Sequence, residues 1–352
     1  MEIIDTFQCL ISFQDQDNYS HKANLQFTTT KINLILNTQC FEIEISYKLQ
    51  LKWKCEENKL ISMHFQQFTI QAGNEDLLKF KKHLDCQTTY IGIREIYDNV
   101  ILIQQKDNAK ICSLKSKLDG KMYICKCYKK QEVEKYKIYE QLVILRKLGD
   151  FKNVAQIIDF YESSNSYYFI FEQMNRIHYS SLSHEDIQSM MFVYSILYQD
   201  ILCCVKMLIL NHVFHSQINL SNIVIDNDMN CKLAGFEHAE LLNEKNAIYN
   251  SLMLTMVGHI MIKLYQINNL YRYQYNSKNK QQIFIPDYGN SLVQGLLETD
   301  LNQQINIEQA LSHEYFEYFD YNSSPMMQQQ IVPKLKSFIT QQSLSLPIES
   351  NI

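Results

Sequence analysis

Ten cysteines, at positions 9, 40, 55, 86, 112, 125, 127, 203, 204 and 231, could in principle ligate metal or pair as disulfides. Their spacing argues against both. None forms a C-x-x-C pair, zinc-site spacing is absent, and Cys125 with Cys127 would share one side of a strand. They read as buried free thiols of a reducing compartment, and the cytoplasm is the expected location. Glycine is the second chemical marker, because a loop that cradles phosphate needs backbone free of side chains. Eight glycines and four prolines in 352 residues, against typical usage of roughly 7% and 5%, exclude collagen-like and Pro-rich linker proteins. They also make a glycine-dependent phosphate loop hard to place. A net charge of −5 and a pI near 6.1 leave no basic excess to neutralise phosphates, so nucleic acid is not an expected partner.

The elements that would position any chemistry follow from hydropathy periods. Residues 1–86 alternate with period two in FQCLISF, LQFTTTKINLIL, FEIEISYKLQLKWK and KLISMHFQQFTIQA. Gly73 ends the strands, and NEDLLKFKKHLDC opens with acids and continues with lysines, as the helix dipole favours. From residue 95 the pattern changes. Strands near 99–104, 110–117 and 121–129 precede a helix over 131–148 and a hairpin VAQIIDFYE-SSNS-YYFIFEQM. Two helices apolar on nearly every face follow, one from His184 to Leu210 and one starting at Ser251, with the hairpin NIVID-NDMN-CKLAGF between them. Such helices belong in the middle of a large domain. Residues 287–316 are helical again. The N-terminus carries acids where a signal peptide needs a basic region, and Leu252 to Tyr265 falls short of the ~18–20 residues of a membrane span. A soluble intracellular protein is expected.

The first 90 residues, several antiparallel strands ending in one amphipathic helix, resemble a pleckstrin-homology domain by pattern alone. That likeness implies inositol-phospholipid binding through a basic first strand-strand loop. The loop here, QDQDNYSHKAN, has one lysine and two acids, so packing or protein interaction is the favoured role.

Residues 97–316 resemble a protein kinase domain, closest to the calmodulin-dependent group of Ser/Thr kinases. Four segments carry the resemblance in order: KMYICKCYKK, ILRKLGDFKNVAQIIDFYE, HSQINLSNIVIDNDMNCKLAGF and LVQGLLETDLNQQINIEQALSHEYF. The implied fold class is α+β, a bilobal kinase-like fold preceded by a small β-barrel capped by its C-terminal helix. The expected domains are 1–90, the kinase-like 95–316 (N-lobe 95–174, C-lobe 175–316), and a loosely ordered tail 317–352.

The resemblance also assigns roles one residue at a time. The three glycines over the nucleotide phosphates fall at Gln104, Lys106 and Ala109. Lys126 takes the place of the lysine that pairs with the α/β-phosphates, though a solvated strand lysine beside Lys129 and Lys130 fits equally well. Ile124 replaces the alanine that floors the adenine pocket, and Ile111 and Val224 flank it. Phe171 fills the gatekeeper position and Glu172 begins the hinge. The glutamate that would hold Lys126 aligns with Gln141. His-Arg-Asp becomes His215-Ser216-Gln217, so an uncharged amide replaces the catalytic base. Asn219 replaces the lysine two residues on, and Asn222 survives as a metal-binding asparagine. Gly235 replaces the metal-binding aspartate of Asp-Phe-Gly. Glu237 offers a displaced carboxylate, or is a surface acid after a strand. Leu145, His215 and Phe236 match the residues that stack between the lobes. Only fifteen residues, Phe236 to Asn250, precede the next helix, with no room for Ala-Pro-Glu. Met253 and Gln304 replace an aspartate and an arginine.

The resemblance therefore implies a catalytically inactive pseudokinase that works by interaction, scaffolding or allosteric regulation, with no cofactor. Mg-ATP enters only under the alternatives, an atypical Ser/Thr phosphotransferase or a nucleotide-binding switch. Protein partners are expected, through residues 238–250, YRYQYN (271–276) or the tail, and phosphoinositide membranes are the further alternative.

Overall fold

The structure, a computed structural model, describes residues 3–13, 20–105, 108–149, 151–176, 187–228, 230–275 and 287–318. The tail from 319 onward, most of the first loop (14–19), Lys106 and Asn276 lie outside the described residues. The chain divides into two compact units. The first holds the described residues up to Arg146 together with Gln156–Gln173, and the second holds Lys147–Ala155 and the described residues from Met174 on.

In the first unit, β1 (Asp5–Phe13), β2 (His21–Phe27), β3 (Lys31–Leu36) and β4 (Gln39–Glu44) form an antiparallel meander. A second meander comprises β5 (Gln50–Glu56), β6 (Lys59–Phe65) and β7 (Phe68–Gln71), and β7 joins β1. Alternation puts Phe7, Cys9, Ile11, Leu25, Phe27, Ile32, Leu34, Leu51 and Trp53 inside. With glycine scarce, left-handed turn positions fall to Asn37, Glu57 and Asn58, at φ of 53°, 49° and 63°. Helix α1 (Asn74–Leu84) starts after Gly73, carries Glu75 and Asp76 in its first turn, and buries Leu77, Phe80 and Leu84. Seven antiparallel strands and a helix are thus present.

The expected barrel does not close. β4 stays at the sheet edge, and the edge of β5 is taken by β8 (Thr89–Ile91), which pairs with it in parallel. On its other side β8 meets β12 (Ile157–Glu162), again in parallel, at Tyr90↔Tyr161. The sheet then continues through β13 (Ser166–Phe171), β11 (Met122–Lys129), β10 (Ala109–Ser116) and β9 (Tyr97–Gln105). Thirteen strands form one open sheet, and its core runs from Phe7 and Trp53 through Tyr97 and Leu114 to Tyr161 and Ile170. Helix α2 (Lys135–Leu148) lies between β11 and β12 in sequence and buries Ile138, Gln141, Leu142, Ile144, Leu145 and Leu148.

A buried ionic cluster crosses this sheet. Lys81 of α1 reaches Asp159 of β12 at 2.6 Å and Asp85 at 2.9 Å. Tyr97 donates to Asp159 at 2.7 Å, and Tyr90 donates to Asp85 at 2.7 Å. Burial works to lower the Lys81 ammonium, and the two carboxylates outweigh it and hold the ammonium above its usual value. Burial pushes Asp85 up to about 7 against the pull of Lys81.

The second unit is mainly helical. It contains β14 (Met174–Arg176), α3 (Ile187–Leu210), β15 (Val213–His215), β16 (Ile223–Asp226), β17 (Cys231–Leu233) and β18 (Ala239–Leu241). Then come α4 (Ala247–Tyr275), α5 (Asp287–Leu297), α6 (Ile307–Leu311) and α7 (Glu314–Tyr318). α3 packs against α4, α6 and α7, and buries Tyr194, Leu197, Tyr198, Ile201, Leu202, Val205 and Leu208. Tyr198 contacts Tyr265 and Tyr315, with ring centroids 6.4 and 6.1 Å apart. α4 extends beyond the apolar run visible in sequence. Val193–Leu210 and Ala247–Gln266 are long and apolar enough to cross a membrane by length and composition alone, which corrects the expectation for Leu252–Tyr265. Half of the first stretch is buried inside the structure.

Candidate active site

Nine of the described positions assigned from sequence lie in the first unit. Lys126 on β11 is 9% exposed, so it is not the solvated strand lysine that the sequence allowed. Its ammonium lies 5.3 Å from the ring centroid of Tyr128, a cation–π distance. β11 is central, between β10 and β13, and buries the adjacent Cys125 and Lys126. Ile111 stands opposite Lys126 on β10, and Ile124 stands opposite Phe171 on β13. Gln141 is buried on α2, as is Leu145. Glu172 turns its carboxylate onto its own neighbourhood: Oε1 accepts from the Gln156 amide at 3.1 Å, and its backbone amide donates to the Gln156 carbonyl. Among the glycine-loop positions, Gln104 pairs with Ile111, and Ala109 is buried opposite Tyr128.

The second unit holds the other positions. β15 delivers His215, fully buried, whose ring meets Phe236 edge-on at 5.1 Å and 87°. Nδ1 of His215 accepts from the Gln217 amide at 3.2 Å, which fixes the neutral tautomer with its proton on Nε2. Burial, against the pull of Glu237, depresses this imidazole to about 4. Gln217 itself is exposed. Asn219 caps the short 3-10 turn Leu220–Asn222, accepting from the amide and hydroxyl of Ser221 at 3.0 and 2.6 Å. That is a turn-forming role.

Asn222 and Gly235 meet. Asn222 is buried, and its Nδ2 donates to the Gln217 carbonyl at 2.9 Å. Its backbone carbonyl accepts from Ala234 at 2.8 Å. Gly235 sits at φ 84°, a left-handed conformation in which a side chain is strained. A Cβ built there would stand 2.6 Å from Cγ of Asn222 and 2.8 Å from both its nitrogen and its oxygen. A side chain at 235 would therefore require the Asn222 amide to shift. Glu237 is not a surface acid: its side chain is 16% exposed, with Oε1 at 3.7 Å from Nε2 of His238.

These donors do not fit a resident Mg²⁺. The metal needs carboxylate oxygens in near-octahedral geometry, whereas Gly235 supplies none and the Asn222 amide is engaged within its own loop. Among the described residues no three His, Cys, Asp or Glu side chains gather as metal ligands. The thiols are free, and burial raises Cys125, Cys204 and Cys231 far above the range of a nucleophile.

Downstream, Ser216 donates both backbone and side chain to the His238 carbonyl, and β15 pairs with β18. Asn246 accepts from the amides of Ile248 and Tyr249 and starts α4, so the segment 238–250 is short and locally bonded. Gln304, where the resemblance expects arginine, donates to the Leu296 carbonyl at 2.8 Å and approaches the Ser251 carbonyl and Thr255 hydroxyl at 3.4 and 3.2 Å. Met253 is fully buried.

Two features escaped sequence reasoning. Asp226 accepts from the amides of Asp228 and Asn230 and faces the buried Lys232 at 3.5 Å, which locks the β16–β17 hairpin. The turn-favouring run DNDMN was the available signal. The Lys81–Asp159 pair had none, since 78 residues separate its members.

No curated protein matches this chain. Residues 105–260 match the family model of the protein kinase domain. The segment LVQGLLETDLNQQINIEQALSHEYF lies beyond that match, where it forms α5, α6 and α7, with Asn306 and Gln309 capping α6 reciprocally. Over residues 105–260 the chain therefore carries a protein-kinase-like domain.

Proposed function

We propose that this protein is a pseudokinase, a kinase-fold chain that acts by binding and regulating other proteins in the cytoplasm rather than by phosphoryl transfer. The observation that carries the reading is Gly235 itself, which supplies no metal-binding carboxylate and holds a left-handed backbone against the Asn222 amide. The exposed amide of Gln217 supports it, because an amide cannot accept the proton of a substrate hydroxyl. Loss of a general base alone costs roughly 10²–10⁴ in rate. Incubation of the full chain with Mg²⁺ and γ-labelled ATP, alone and with a generic basic protein, is expected to label neither. Incorporation above a Lys126→Ala control would defeat the proposal.

One observation favours a second reading. Lys126 is buried rather than solvated, as a phosphate-pairing lysine would be. Under that reading the protein binds ATP without metal and switches conformation. A thermal shift with ATP in the presence of a chelator, lost in Lys126→Ala, would support it.

For residues 1–90 we infer a pleckstrin-like module in an interaction role. The strand order β4-β3-β2-β1-β7-β6-β5 followed by α1 supports that likeness. Flotation with phosphoinositide vesicles is expected to leave the protein in the pellet, and co-flotation would reassign the module to membranes.

A further inference from the structure

Helix α2 carries Gln141, at the position the kinase resemblance gives to the partner of the phosphate lysine. One face of this helix contacts residues of the N-terminal module, through the side chains of Tyr139 and Arg146 and the backbone carbonyl of Leu142, which lie along one stripe. The ring of Tyr139 packs edge-on against Tyr47, centroids 5.9 Å apart. The Tyr47 hydroxyl lies 3.5 Å from the Leu142 carbonyl, and Arg146 donates to the Gln87 side chain at 2.8 Å. The opposite face of α2 supplies the buried Ile138, Gln141, Ile144, Leu145 and Leu148.

Tyr47 is itself fixed. Its hydroxyl donates to the Cys86 carbonyl at 2.7 Å, and its carbonyl accepts from the Thr89 hydroxyl at 2.8 Å. Cys86 holds a left-handed backbone at φ 59°, and its thiol donates to the carbonyls of Ile157 and Ile158 at 3.1 and 3.4 Å. Loop 46–49, the 85–89 segment and β12 therefore form one braced corner. The buried Lys81–Asp159 pair stands behind it and connects α1 to the same strand.

We propose that residues 1–92 act in cis as a brace on α2, so that the position and mobility of this helix are set by the N-terminal module. An event on that module, such as partner binding, is then transmitted to the helix that carries Gln141. The proposal does not rest on the pseudokinase reading. It would hold equally for a nucleotide-binding protein, and its test contains no nucleotide.

Amide hydrogen exchange on the full chain reads the brace directly. Tyr47→Phe keeps the ring and removes the hydroxyl, and Gln87→Ala removes the partner of Arg146. Two lost hydrogen bonds correspond to roughly a tenfold faster exchange. The double variant should show that change in peptides covering 135–148 while β1–β7 and α1 keep wild-type protection. Arg146→Ala, made from the helix side, should produce a smaller increase in the same peptides. Unchanged α2 protection in the double variant would overturn the brace. So would a parallel rise in β1–β7, since helix and module would then open as one body with no separate brace.

Discussion

The two units differ in where they keep buried charge. The first links Lys81, Asp85 and Asp159 beneath Tyr90 and Tyr97, with Lys81 and Asp85 outside the kinase-like segments and Asp159 inside one. The second keeps the buried Asp226–Lys232 pair and carries no charge at four positions where the resemblance expects it. Gln217, Gly235, Met253 and Gln304 stand in for two acids of the catalytic loop and metal site, one brace and one ion-pair arginine. Where a neutral group remains, it is bonded locally, as Gln304 is to Leu296 and Asn222 to Gln217. A buried charge survives when its partner is another part of the fold. It becomes a liability when its partner was a ligand or a lost segment, because an unpaired buried ion costs several kcal/mol.

The largest effect that would sharpen this contrast is in the first unit. Asp159→Ala should destabilise it by about 3–5 kcal/mol, since Lys81 would be left without its closest partner. Denaturant unfolding followed by exchange in β12 and α1 measures this. A loss below about 1 kcal/mol would erase the contrast.

The second prediction uses pH, with opposite signs in the two units. His215 is held at about 4 in the folded state and near 6.5 when unfolded. The unfolded chain therefore binds the extra proton between those values, and stability falls as pH drops from 6.5 to 4, by up to about 3 kcal/mol. Asp85 runs the other way. With a folded value near 7 against 3.8 unfolded, it makes the first unit less stable as pH rises from about 4 to 7. Local exchange across this range, with His215→Leu and Asp85→Asn as controls, should show slopes of opposite sign that each control flattens.

Third, Gly235→Asp should cost about 1–3 kcal/mol, from strain at a left-handed backbone and the clash with Asn222. Asn222→Gly in the same chain should recover part of it. Simple additivity of the two changes would mean that the residues do not interlock. The smallest effect is Gln304→Ala, about 1–2 kcal/mol for bonds lost between α4 and α5, measured by the midpoint of thermal unfolding.

Much of this architecture was legible before the structure. Period-two runs located the strands of residues 1–86, and the acids after Gly73 located α1, because these signals are local. The Gln217, Asn219 and Gly235 positions were readable only through the resemblance to the kinase segments. Closure of the barrel was misjudged because β8, three residues long, carries no periodic signal, yet it takes the edge of β5. The burial of Lys126 was equally hidden. A lysine two positions before Tyr128 reads the same on a central strand as on an edge strand, and strand order is a non-local property. The Asn222 contact with Gly235 belongs to the same class, since only a folded loop brings an amide against a left-handed glycine.

The central proposal is that this chain does not carry out metal-dependent nucleotide chemistry. Differential scanning fluorimetry of the full chain against Mg-ATP up to millimolar concentration tests it most directly. The account predicts an unchanged melting temperature. A ligand present at one hundred times its Kd would add about 2.7 kcal/mol. A saturable rise of several degrees, abolished by Lys126→Ala and by removal of Mg²⁺, would contradict it.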